Sequence, residues 1–92
     1  MGSDPIARRV VIHGRVQGVF FRDTMRSVAR DAGVSGWAAN RDDGTVEAVV
    51  EGPSDGVDRV LEFCRRGPEQ AEVERVDVDE TGVEGLTGFE IR

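Results

Sequence analysis

Apolar residues recur along this chain with two periods, and the switches between them mark out the elements. The β-branched run Arg8–Ile12 predicts a well-buried central strand over Arg8–His13. Next, Phe21, Met25, Val28, Ala29 and Ala32 fall at helical spacing, which predicts a helix over Phe21–Ala32 closed by Gly33. Val34–Asn40 reads as a second strand. Thr45–Glu51 reads as a third, in which Val46, Ala48 and Val50 alternate with Glu47 and Glu51 as in a half-buried strand. Asp43-Gly44 between these two strands predicts a two-residue hairpin turn. Val57, Val60, Leu61 and Cys64 build a second helix, stopped by Gly67-Pro68. Glu72–Glu80 follows as a strand alternating through Val76 and Val78, then a loop over Thr81–Thr87. Gly88–Arg92 forms a short last strand with Phe89 and Ile91 turned inward.

The element order is βαββαβ with a short terminal strand, a fold of the α+β class. Strands 1 and 2 are joined through a helix, so they run parallel with a right-handed crossover. The hairpin makes strand 3 antiparallel to strand 2. A ferredoxin-like two-layer sandwich satisfies both, with antiparallel sheet order 4-1-3-2 and both helices on one face. Strands 1 and 2 then end on the same rim, two strand spacings or about 10 Å apart. That rim joins the residues after His13 to Asn40.

Those residues carry the most informative chemistry in the chain. His13–Arg22 takes a strand through Gly14 and Gly18 into a helix start. Glycines let successive N–H groups converge on one point, and the unpaired N–H groups at a helix N-terminus point the same way. Arg22, in the helix's first turn, adds a planar donor fork suited to phosphate or carboxylate. Spacing alone leaves an ordinary βα turn as open as an anion site. The Walker pattern is absent, because no Gly-Lys-Ser/Thr follows.

Composition and charge narrow the field. The 92 residues make one domain with a modest core, 8–92, preceded by a flexible N-terminal segment, 1–7. Residues 1–41 hold seven Arg against three acids (+4) and residues 42–92 five Arg against fifteen acids (−10), which gives the net −6. A local positive excess favours an anion site in the first half. The overall acidity argues against nucleic acid, which asks for a broad basic face. No apolar run is long enough for a membrane span and no secretory h-region is seen, so a cytoplasmic protein is expected. Cys64, the single cysteine, reads as a small buried hydrophobe. His13 reads as a packing or hydrogen-bonding residue. No His/Cys/Asp cluster has metal spacing, so no metal site is expected. Thr24 and Ser27 lack a neighbouring base, so a covalent nucleophile is not expected either.

The segment Gly14-Arg15-Val16-Gln17-Gly18-Val19-Phe20-Phe21-Arg22 resembles the acylphosphatase signature Gly-x-Val-Gln-Gly-Val-x-Phe-Arg. Gly36-Trp37-Ala38-Ala39-Asn40, followed by a turn and a strand, is similar to the family's second signature. The resemblance extends through Glu51-Gly52-Pro53 and Gly88-Phe89-Glu90-Ile91. It implies hydrolysis of acyl phosphates to carboxylate and inorganic phosphate, without a cofactor. No long apolar surface pattern is left over along the chain, so a monomer is expected. By resemblance, the loop Gly14, Arg15, Val16, Gln17, Gly18, Val19 and Phe20 supplies phosphate-binding amides, Arg22 binds the phosphate and Asn40 orients the water. Phe20, at the variable position, is expected to shield the loop from water. Arg41 is expected near the site rim. Two other readings stay open. Similar domains sit inside larger hydrogenase-maturation proteins that process carbamoyl phosphate, so a phosphate- or carbamoyl-phosphate-binding module without turnover is one. A ferredoxin-like RNA binder is the other, and the charge disfavours it.

Overall fold

The computed structural model describes residues 4–92, and its elements follow the expected order. Strand β1 is Ile6–Arg15, helix α1 Phe21–Asp31, strand β2 Ser35–Asn40 and strand β3 Val46–Gly52. Helix α2 spans Ser54–Arg66, strand β4 Glu72–Thr81 and strand β5 Phe89–Ile91. The sheet runs β4-β1-β3-β2-β5, so β3 lies between β1 and β2 as the topology rules require. The four long strands pair antiparallel, whereas β5 adds to β2 in parallel and makes the sheet mixed. Helix α1 packs on α2, β2 and β5, and α2 on β1, β3 and β4, which places both helices on one face. The arrangement is the ferredoxin-like α+β sandwich.

Strand β1 is longer than its β-branched core. It takes in Ile6 and Ala7, expected to belong to the flexible segment, and Ala7 is buried where it pairs with Glu51 and Thr81. Asp4 and Pro5 of that segment are exposed and outside any strand, and residues 1–3 lie outside the described residues. The core between sheet and helices joins Val10 and Ile12 of β1 to Val46, Ala48 and Val50 of β3 and to Phe21, Met25, Val57, Val60 and Cys64 of the helices. The rings of Phe21 and Phe63 meet at 5.4 Å between centroids, tilted by 57°, which locks the first turn of α1 against α2. Cys64 is unpaired and fully buried, and burial pushes its thiol up to about 12, so it behaves as the expected small hydrophobe.

Two sequence expectations change here. The β2–β3 connection is a three-residue loop, Asp42-Asp43-Gly44, closed by the Arg41 N–H donating to the Thr45 carbonyl at 2.9 Å. Gly44 takes φ +92°, and Asp43 accepts from both the amide (3.0 Å) and the hydroxyl (2.7 Å) of Thr45. A longer loop with one glycine at positive φ satisfies the same sequence signal as a two-residue turn. The Thr45 hydroxyl, then its amide, holds the Asp43 carboxyl below its ordinary value. Second, β3 is buried on both faces rather than one. Glu47 and Glu51 are 7% and 5% exposed, because other parts of the chain cover the helix-free face of the sheet above them.

Candidate active site

The rim where β1 and β2 end holds an open cavity of about 250 Å³ lined by Val16, Gly18, Phe20, Phe21, Arg22, Asp23 and Asn40. Sequence-distant residues meet here because β3 separates the ends of β1 and β2 by only one strand. Asn40, the last residue of β2, pairs with Val46 and also borders a second depression with Arg41, Asp42 and Asp43.

Each residue of the loop Gly14–Phe20 has its own place. Val16 and Val19 are buried in the core and anchor the loop from below. Gly18 takes φ +75°, and a Cβ built on it would meet nothing within 4 Å. Its freedom serves the shape of the loop beside the cavity. Gly14, at φ +128°, serves the sheet instead. There the β1–β4 register shifts, and a Cβ would collide with the Glu72 carbonyl oxygen. Gly14 therefore lies behind the cavity rather than on it. Arg15 also points away, donating to the Gln70 carbonyl at 3.1 Å and facing Glu72 at 3.7 Å. Gln17 fastens the loop to the hairpin, since its amide nitrogen donates to the carbonyls of Arg41 (2.7 Å) and Thr45 (3.0 Å). Sequence reasoning counted Gln17 for its backbone and missed this clasp, which only the fold reveals.

Phe20 differs from expectation. It is 72% exposed and stands in the left-handed region at φ 62°, ψ 29°, as the residue that starts α1. It shields little of the loop. Its carbonyl accepts from the Thr24 amide at 3.1 Å and the Thr24 hydroxyl at 2.8 Å, which hold the strained residue in place. Among the described residues, no protein acceptor meets the N–H groups of Val16–Phe20. Arg22 lines the cavity, and its Nη1 donates to the main-chain oxygen of Arg92 at 3.0 Å, leaving other guanidinium donors for a ligand. Arg92 is carried there by β5: its N–H donates to the Ala38 carbonyl at 2.8 Å and its guanidinium lies 4.6 Å from the Trp37 ring centroid. No sequence signal pointed to this contact.

Around the site the charges are arranged rather than scattered. Arg41, next to Asn40, reaches back to Glu47, which also accepts from Arg9 Nε at 2.6 Å. Side chain, amide and carbonyl of Arg41 are thus all held, and the hairpin that carries Asn40 is held with them. His13 lies outside the cavity, 3.0 Å from Asp77 and 3.1 Å from Arg75 on the neighbouring strand β4. Arg75, then His13, holds the Asp77 carboxyl below its ordinary value.

A strand-to-helix loop with free N–H donors, one guanidinium and one side-chain amide thus meet on one rim of a small ferredoxin-like domain. The chain matches the Acylphosphatase family over residues 8–91, and it belongs to that family. An acylphosphatase from Haloarcula marismortui is 52% identical over 83 residues, covering 90% of this chain and 91% of that one. The structure of an acylphosphatase from Coxiella burnetii superposes with a TM-score of 0.92 at 36% identity, covering 97% and 94% of the two chains. The much longer HypF, in its phosphate- and nucleotide-bound form, is similar over all of this chain but 12% of its own length, with a TM-score of 0.92 and 25% identity.

Proposed function

We propose that this chain hydrolyses acyl phosphates to a carboxylate and inorganic phosphate. The meeting of Gly18, Arg22 and Asn40 around one cavity is the observation that carries the reading. The phosphoryl group sits on the loop amides Arg15–Phe20 with Arg22 against its equatorial oxygens. Asn40 accepts a hydrogen bond from a water and holds it in line with the phosphorus–oxygen bond to the acyl group. Water attacks phosphorus, that bond breaks, and the electron pair leaves with the carboxylate. The proton of the water goes to the phosphate, since an Asn side chain has no basic group near pH 7. Acyl phosphates are activated anhydrides, so positioning and charge stabilisation suffice without a covalent step. The reading extends to a cytoplasmic monomer that needs no nucleic-acid partner, supported by the buried, unpaired Cys64 and the net charge of −6. Among the described residues no helix is long and apolar enough to cross a membrane.

The test is hydrolysis of benzoyl phosphate by wild type, Arg22→Gln and Asn40→Ala, with and without a chelator. Turnover by wild type that resists the chelator and collapses in both variants is the expected result. Asn40→Ala should lose about 10²–10³ in kcat while inorganic phosphate still binds. A wild type that is inert, yet whose melting temperature rises with inorganic phosphate through Arg22, would identify a binding module instead.

A further inference from the structure

Phe20 borders two cavities. One is the anion site; the other, about 290 Å³, is lined by Val19, Phe20, Thr24, Pro68, Glu69 and Gln70 on the far side of the start of α1. We propose that this second groove is the acyl subsite, and that Phe20 selects substrates whose acyl group is apolar and uncharged, aromatic ones above all. The inference rests on the reading above, in which the phosphoryl end lies on the loop amides. An acyl group leaving that position has the Phe20 side chain as the wall shared with the next concavity.

Three observations support it. Phe20 is one of two large hydrophobic residues exposed among the described residues, and it stands at the site itself. Its backbone occupies a conformation that costs a non-glycine residue energy, and two hydrogen bonds from Thr24 fix it there. A Gly or Asn would adopt φ 62° more cheaply, so the benzyl side chain stands at this position at a backbone cost. The groove's size is near the lower end for ligand pockets, about 300 Å³. Its walls suit a small ring: Val19 and Pro68 are apolar, Thr24 and Gln70 neutral. Glu69, the one acid among them, disfavours an acyl group ending in a carboxylate.

The readout is a ratio, kcat/KM for benzoyl phosphate over that for acetyl phosphate. Any effect of a Phe20 substitution on the phosphate cradle is shared by both substrates and cancels. In Phe20→Ala the ratio should fall about tenfold, and in Phe20→Asn, which tolerates the left-handed backbone, by the same factor. Phe20→Tyr should keep the wild-type ratio. Calorimetric affinities of benzylphosphonate and methylphosphonate, which need no turnover, should show the same dependence on Phe20. An unchanged benzyl-to-methyl and benzoyl-to-acetyl preference in Phe20→Ala and Phe20→Asn overturns the subsite. An inert wild type that still prefers benzylphosphonate through Phe20 overturns the hydrolase reading and leaves the subsite standing.

Discussion

The two ends of this sheet carry the same device put to opposite uses. At the β1–β2 rim the N–H groups of Val16–Phe20 have no protein acceptor, and the cavity they border is open. At the other end, the N–H groups of Glu84, Gly85 and Leu86 converge on the Glu51 carboxylate at 2.8, 2.9 and 2.8 Å. The second is a backbone cradle for an anion, and the proposed function gives the first the same role. One is filled by the chain's own carboxylate, 5% exposed, and ties the loop before β5 across the sheet. On the proposed function, the other takes the phosphoryl group of the substrate. A cradle filled from within contributes stability; one that takes a ligand contributes binding. Substitutions should separate the two.

The largest effect belongs to the open cradle. Arg22→Gln removes the charge and the fork together, so hydrolysis of benzoyl phosphate should fall by at least about 10²–10³, while the melting temperature measured without phosphate changes little. A variant that loses its fold instead would make Arg22 part of the framework. In the filled cradle the signs reverse. Glu51→Ala removes the buried carboxylate that accepts three part-buried, charge-assisted hydrogen bonds and should cost about 2–3 kcal/mol, or roughly 10–20 °C in melting temperature, with kcat/KM kept at temperatures where the protein is folded. Activity lost in parallel with stability would join the two ends into one unit.

Within the open loop the two glycines sharpen the contrast further. Gly14→Ala puts a Cβ into the Glu72 carbonyl and should destabilise the fold by several kcal/mol, read in chemical denaturation. Gly18→Ala meets open space, so it should cost only the left-handed strain of about 1–2 kcal/mol, but it should blunt the phosphate-induced rise in melting temperature. Equal stability losses would deny the division of labour between them. The smallest effect lies away from both cradles. Arg75 and His13 hold the Asp77 carboxyl low, so its stabilisation is present above its unfolded value near about pH 4 and is lost as pH falls through the folded one. The melting-temperature difference between wild type and Asp77→Asn should therefore narrow on acidification below that value. A constant difference across the range would mean that packing rather than charge is responsible.

How much of this was legible beforehand follows from the range of each interaction. The apolar spacing of Phe21, Met25 and Ala29 and the run through Val10 and Ile12 depend on local geometry, and both elements are where the pattern puts them. The convergence of Asn40 with the loop followed from handedness and hairpin rules alone. What alternation cannot report is the cover over the helix-free face. Glu47 and Glu51 read as solvent-facing because nothing in β3 announces Arg9, Arg41 or the loop over Glu84–Leu86. Gly14 and Gly18 look alike in sequence because both follow one strand; the β4 backbone that separates their roles lies about sixty residues further along the chain. The direction of β5, and with it the approach of Arg92 to Arg22, depends on the same kind of distant pairing.

Strand β4 has one further consequence. It forms an edge of the sheet over ten residues, a length at which an exposed ladder of backbone groups invites a second chain to add to it. Its sequence answers that hazard with Glu72, Glu74, Asp77, Asp79 and Glu80 against a single Arg75. Two copies meeting edge to edge would set carboxylates against carboxylates and be driven apart. The acidic excess of the second half of the chain thus works as a guard against aggregation, one that weakens as salt shortens the reach of charge to about 3 Å at 1 M.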